Sequence, residues 1–272
     1  MTDPVVARME AGQRIAQAAA AIAMDYYQRR EELLIESKGP QDMVSQADQN
    51  VEKFIRAELQ KHFAEDAIHG EEFGRTGEGE FTWVIDPIDG TANFVNSIGF
   101  WCVVLALVHR GVVVGGITVD PNLGHTYVAR RGHGAFLNGA RMQVSRSQSI
   151  RDGSVGVGFC NRVTSDTLLQ FMKPFVEGGG MFFRNASGAL MLAYVAAGHL
   201  TAYHEGHMNP WDCLAGLLMI EEAGGQSWPY NTPRMMQDGA AILAGAPAVF
   251  AELEPMAAFT RDLTPIRPAK PA

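Results

Sequence analysis

Apolar side chains at Val51, Phe54, Ile55, Leu59 and Phe63 recur at three- and four-residue intervals, the spacing of one helical face, and predict a helix to about Phe63. Ser45 with Asp48 at its start resembles a capping box. Upstream, Asp3-Pro4 reads as an N-cap followed by proline in the first turn, opening a long helix to about Leu34 that "ESKGPQD" (36–42) breaks. Past the loop "GRTGEGE" the pattern becomes continuously apolar, and Trp83, Val84 and Ile85 predict a buried strand ending at Asp86. "WCVVLALVH" (101–109) and "VVVGGITV" (112–119) are two further strands joined at Arg110-Gly111. "DPNLG" (120–124) is a turn, "HTYVARR" a strand, and Asn138-Gly139 another tight turn. The first half thus reads as two helices on a mostly antiparallel sheet.

From Ser154 the pattern alternates. Strands are expected near 154–160, 200–204 and 241–244, and helices near 166–176, 187–197 and 211–223, with a last helix from Pro247. That is α/β in character. With no low-complexity linker and no internal repeat, residues 1–272 are expected to form one domain. Its two parts are a helix-plus-antiparallel-sheet subdomain (1–150) and an α/β subdomain (151–272), layered on a shared core.

The formal charge of −8 argues against a nucleic-acid partner, whose recognition leans on Lys and Arg at phosphates, and so against a nuclease. Cys102, Cys160 and Cys213 are widely spaced in apolar stretches, with no CxxC pair and no zinc-like Cys/His cluster, and are expected to be buried reduced thiols. That fits the cytoplasm. The apolar run "IAQAAAAIAM" (15–24) is too short to span a bilayer, and an opening with Asp3 and Glu10 is unlike a signal peptide.

Chemistry enters with three acidic clusters: "HGEEFG" (Glu71, Glu72), "DPIDGT" (Asp86, Asp89) and "NPWDCLAG" (Asp212). Singly, Glu71-Glu72 reads as a solvated loop, Asp212 as an N-cap and "DPIDG" as a turn. Together they suggest a hard-cation site, because Mg²⁺ takes oxygen ligands and relieves the repulsion among gathered carboxylates. Gly90-Thr91 follows Asp89 directly, and backbone N–H groups there suit a phosphate.

These blocks carry a resemblance. "DMVSQADQNVEKFI" (42–55), "GEE", "WVIDPIDGTANFV", "GAFLNG" and "WDCLAGLLMIEEAGG" (211–225), in this order, resemble the inositol monophosphatase family of lithium-sensitive, magnesium-dependent phosphatases. The resemblance implies a layered α-β-α-β-α sandwich and a homodimer. It implies that Glu71, Asp86 and the carbonyl of Ile88 hold one Mg²⁺, that Asp86, Asp89 and Asp212 hold a second, and that a weaker third lies near Glu71. The implied reaction is hydrolysis of a phosphate monoester by in-line attack of water, one ion lowering the water pKa and another stabilising the leaving alkoxide. Glu71 and Thr91 match the pair that orients the water. Asp42 resembles the acid that hydrogen-bonds the threonine hydroxyl, and reads equally well as a loop residue approaching the helix.

Substrate contacts are expected from Asp89, Gly90, Thr91, Ser187, Glu205 and Asp212. Where family members commonly have Gly-Ser-Ala or Gly-Thr-Ala, this chain has Ala186-Ser187-Gly188, and Met191 stands where many bacterial members have aspartate. Ser187 keeps a hydroxyl; Ala186 is expected to cost a backbone conformation or some room. Glu205 suits sugar or inositol hydroxyls, or is a surface acid on a loop. His207 reads as a packing residue rather than a ligand. The leading expectation is a phosphatase for myo-inositol monophosphate. Histidinol phosphate, fructose 1,6-bisphosphate and 3′-phosphoadenosine 5′-phosphate are the alternative substrates, and a non-catalytic regulatory binding protein is the alternative of another class.

Overall fold

The computed structural model describes residues 3–29, 35–39 and 42–263, and only the backbone of 35–39 and 42–45. Helix α1, Pro4–Gln28, opens where Asp3 Oδ1 accepts the Val5 N–H at 2.9 Å. It stops short of the expected Leu34, ending at Gln28, with Tyr26 and Tyr27 the last apolar side chains it packs on the core. The stretch expected only to break the helix forms a hairpin instead, β1 (Ile35–Gly39) against β2 (Asp42–Ser45). Helix α2, Gln46–His62, follows directly.

Eight strands make the first sheet. They are β3 (Ala67–Gly70), β4 (Gly74–Thr76), β5 (Phe81–Asp89), β6 (Cys102–His109), β7 (Val112–Asp120), β8 (His125–Arg130), β9 (Gly134–Leu137) and β10 (Ala140–Arg141), in the order β10-β9-β8-β7-β6-β5-β3-β4. Every pairing is antiparallel except β3 with β5. Arg110-Gly111 and Asn138-Gly139 both have positive φ, as two-residue hairpin turns require. Between β5 and β6 lies the one-turn helix α3, Thr91–Val95.

The second sheet holds β11 (Ser154–Val157), β12 (Met181–Phe183), β13 (Ala202–Met208), β14 (Gln226–Ser227) and β15 (Ala240–Gly245), in the order β12-β11-β13-β15-β14. β11 runs parallel to β12 and β13, while β15 is antiparallel to β13 and β14, so this sheet is mixed. Its helices are α4 (Ser165–Glu177), α5 (Gly188–Ala196), α6 (Pro210–Glu222), α7 (Thr232–Asp238) and α8 (Pro247–Ala257). Strands β12 and β14 and helix α7 have no counterpart in the periodicity, being too short to show one.

The elements stack in five layers. Helices α1 and α2 pack on the first sheet, α5 and α6 lie between the sheets, and α4 and α8 cover the second. This is a layered α+β fold. The middle layer explains why "GALMLAYVA" and "PWDCLAGLLMIEE" are apolar almost all round: a helix between two sheets has no solvent face to mark with polar residues. The core of this layer joins residues of both halves of the chain, including Val84, Val104, Leu190, Leu214, Leu218 and Ala244.

Candidate active site

Two bulges shape the site. In a regular strand, residues three apart face opposite sides of the sheet. Opposite β6, Asp86 pairs with Val104 and Asp89 with Cys102, so β5 carries one residue more than its partner across this step. The extra residue brings Asp86 and Asp89 to one face, and Pro87 sits where the ladder is interrupted and no N–H is needed. The same device recurs in β13, where Glu205 pairs with Ile242 and Met208 with Ala240.

The bulge on β5 and the first turn of α6 converge. Asp86, Asp89 and Asp212 offer carboxylate oxygens all within 4.8 Å of one another. Glu71, at the turn after β3, hydrogen-bonds the Asp86 carboxyl. Burial raises the Asp86 pKa well above the ordinary carboxylate range, and the charges of Glu71, Asp89 and Asp212 raise it further. Burial, then Asp89, pushes Asp212 up to about 8. Burial also raises Asp89, opposed by its hydrogen bonds. The set is all oxygen and crowded, with Asp86 and Asp89 buried and Asp212 and Glu71 half-buried at the cavity, which suits a hard divalent cation: such an ion would replace the protons these acids otherwise retain.

Each ligand candidate is held from behind. Asp86 Oδ1 accepts the Ile88 N–H at 2.9 Å, tightening the bulge, and Ile88 itself lines the cavity. Asp89 Oδ2 accepts the Ser187 hydroxyl, the Ala189 N–H at 2.9 Å and the Cys102 thiol at 3.8 Å. Ser187 is fully buried behind the wall, so the hydroxyl expected to face substrate is committed to Asp89. Asp212 Oδ2 accepts both the backbone and the side-chain N–H of Asn209 at 3.2 Å.

Gly90 has φ 95°, and a Cβ there would stand 2.7 Å from the Phe100 carbonyl, so only glycine fits the step from β5 into α3. The next residue, Thr91, places Oγ1 at 3.0 Å from Asp48 Oδ1 and 3.1 Å from the Ile88 carbonyl. The acid seen on the Thr91 hydroxyl is Asp48, where Asp42 was expected. Asp42 belongs to the backbone of β2 and its side chain lies outside the described residues, whereas Asp48 is 1 % exposed on the inner face of α2.

The cavity holds about 710 Å³ and extends from the carboxylates to Glu205, Arg162 and Arg184. Glu205 is buried on β13, not on a surface loop; burial pushes it up to about 7 against the hydrogen bond from the Tyr203 hydroxyl and the charge of Arg184. Ala186 lines the wall at φ 62°, the strained left-handed conformation its sequence position foreshadowed, and Met191 lines it without a polar group. His207 is 3 % exposed, its Nε2 2.9 Å from the Asp238 carbonyl, and it stands outside the carboxylate cluster. Cys102 and Cys213 are buried, but Cys160 is half-buried on the cavity wall. Among the described residues, no helix is long and apolar enough to cross a membrane.

A layered α+β fold with carboxylates from a strand bulge and a helix start gathered around a cavity defines the general class. Residues 7–257 match the inositol monophosphatase family. The chain is 36% identical over 219 residues to an inositol-1-monophosphatase of Rhizobium meliloti, covering 79% of this chain and 82% of that one. It is 33% identical over 248 residues to the Nus factor SuhB of Pseudomonas aeruginosa, covering 88% and 92%. The crystal structure of the extragenic suppressor protein suhB from Bartonella henselae superposes with a TM-score of 0.87 at 31% identity, over 92% of this chain and 98% of that one. The chain therefore belongs to the inositol monophosphatase family, a family of metal-dependent phosphatases.

Proposed function

We propose that this chain hydrolyses a small phosphate monoester, with myo-inositol monophosphate as the leading substrate and Mg²⁺ as the cofactor. The observation that carries the reading is the approach of Asp86, Asp89 and Asp212 to within 4.8 Å, with Glu71 bonded to Asp86. Glu71, Asp86 and the Ile88 carbonyl are assigned one ion, Asp86, Asp89 and Asp212 a second, and the surroundings of Glu71 a weaker third. Bound there, the ions supply positive charge that lowers the pKa of water and stabilises a leaving alkoxide.

The protein's own groups do the rest. Glu71 and Thr91 orient the attacking water, and the Asp48 carboxylate fixes the direction of the Thr91 O–H bond. Backbone N–H groups at Gly90 and Thr91 receive the phosphate. Glu205, with Oε2 bonded to Tyr203, offers its other oxygen to a substrate hydroxyl. Water is the assigned nucleophile, with these side chains orienting it and the substrate, so no covalent phospho-enzyme is part of the proposal.

The deciding experiment measures phosphate release with Mg²⁺ titrated against myo-inositol monophosphate, histidinol phosphate, fructose 1,6-bisphosphate and 3′-phosphoadenosine 5′-phosphate. Mg²⁺-dependent release from the inositol ester supports the reading. Release from histidinol phosphate alone would replace the substrate and keep the chemistry. A second reading, a regulatory protein with a macromolecular partner, draws on the relative named as a Nus factor. It gains ground only if no ester is hydrolysed and the purified chain retains a macromolecule. The intact carboxylate set favours catalysis.

A further inference from the structure

Glu52 is fully buried on α2, yet neither the metal ligands nor the substrate wall includes it. Its carboxylate is turned toward the β3–β4 turn. Oε2 accepts the Glu72 N–H at 2.8 Å, and Oε1 accepts the Phe73 N–H at 3.3 Å and Arg56 Nε at 2.6 Å. Arg56 in turn donates to the Gly74 carbonyl and, at 2.9 Å, to Thr76 Oγ1 on β4. The Glu71 N–H meets the Ile85 carbonyl at 3.2 Å, one residue before Asp86. Glu71 is thus bracketed: β5 holds its own amide and α2 holds the two that follow.

The same helix holds Thr91. Asp48, four residues before Glu52 and on the same face of α2, bonds the Thr91 hydroxyl. Two buried acids one turn apart, about 6 Å along a rigid helix, therefore grip the two segments that carry Glu71 and Thr91. We propose that Glu52 is a positioning residue for Glu71, and that α2, through Asp48 and Glu52, sets the separation of Glu71 and Thr91 across the metal site. A buried carboxylate spent on two consecutive backbone amides of a turn supports placement of that turn rather than an ion pair alone. Gly70 agrees with this: a Cβ there would lie 2.0 Å from Glu52 Oε1, so the approach of Glu52 excludes any side chain beside Glu71.

The inference rests on the assignment of Glu71 to the metal site and is tested separately from it. Mg²⁺ binding by calorimetry, which needs no turnover, is measured for wild type, Glu52→Gln, Glu71→Ala and the double variant. Glu52→Gln is expected to weaken Mg²⁺ binding about tenfold or more. In the Glu71→Ala background it is expected to add nothing, because it acts through Glu71. Amide exchange at Glu72 and Phe73 is expected to quicken in Glu52→Gln. Should that variant fail to fold, Gly70→Ala keeps both charges and displaces Glu52 by contact, and the same pattern is expected. Losses that add in full in the Glu71→Ala background, or unchanged Mg²⁺ binding in Glu52→Gln and Gly70→Ala, would overturn the positioning role. Absence of Mg²⁺ binding by the wild type would instead overturn the metal site, and the inference with it.

Discussion

Oγ1 of Thr91 lies 3.0 Å from Oδ1 of Asp48 and 3.1 Å from the Ile88 carbonyl. A hydroxyl has one proton, and a buried carboxylate attracts it more strongly than a carbonyl. With the proton held toward Asp48, a lone pair of Thr91 remains for the water that Thr91 and Glu71 are proposed to orient. Thr91→Val and Asp48→Ala are each expected to lower kcat on the order of 10²-fold, as for loss of a proton-handling group. The double variant is expected to be no worse than the weaker single one, since both remove one unit of function. Steady-state kinetics at saturating Mg²⁺ check this, and losses that multiply would separate the two residues.

Asp89→Asn is expected to keep the fold, because its hydrogen-bonding partners Ser187 and Ala189 still meet an oxygen. It loses the charge assigned to the second ion, and turnover is expected to fall by orders of magnitude, on the order of 10² or more. For the wild type, Mg²⁺ is expected to raise the melting temperature by binding only the folded cluster, with about 2.7 kcal/mol gained at a hundredfold excess over Kd. The gain is expected to shrink in Asp89→Asn and to reverse with a chelator. Melting curves of both proteins across millimolar Mg²⁺ decide the point.

The elements with long apolar runs were legible in the sequence, and the acids of the cluster stood out as two pairs in turns and a single acid at a helix start. Their convergence was not, because it depends on the one-residue bulge that turns Asp86 and Asp89 to the same face. Asp48 was read as a capping partner, and Glu52 passed unnoticed. A signal for both existed: they fall on the stripe of Val51, Ile55 and Leu59, where an amphipathic helix has no reason to bury charge unless something opposite receives it. The Ser187 hydroxyl was assigned to substrate because sequence shows a residue type and not its partner. Burial of Glu205 likewise follows from β13 being an inner strand of the second sheet, a fact of topology that local polarity conceals.

Burial pushes Glu205 up to about 7, against an unfolded value near 4.5. The folded state thus binds the extra proton, and stability from this group is complete below about pH 4.5 and is lost as pH rises through about 7. The difference corresponds to a contribution of order 3 kcal/mol. Glu205→Gln, which cannot ionise, is expected to flatten this part of the stability curve and to gain on the wild type between pH 5 and 8 in metal-free buffer, a window set by the same rise to about 7. Denaturant titrations at several pH values test it; parallel curves for the two proteins would place the Glu205 pKa near its ordinary value.

Ala186 holds φ 62° on the cavity wall, between Asn185, whose Oδ1 accepts the Ser187 N–H at 2.9 Å, and Ser187, whose hydroxyl holds Asp89. The strain is thus fixed by the contacts that support Asp89, and the Asn185 carbonyl is pinned as well, by Asn93 Nδ2 at 2.6 Å. A left-handed alanine costs about 1–2 kcal/mol, and glycine returns somewhat less than 1 kcal/mol of that through its freer unfolded chain. Ala186→Gly is therefore expected to be neutral to stabilising by about 1 kcal/mol, raising Tm by roughly 2–4 °C. It also removes a methyl group from the wall beside Met191 and Glu205, so kcat/KM for bulkier alcohols is expected to rise relative to that for small ones, by about tenfold at most for one methyl. Melting curves and a size-graded series of polyol phosphates measure both effects. A drop in Tm would mean that the methyl packs well enough to outweigh the strain, and an unchanged substrate ranking would move the alcohol site away from Ala186.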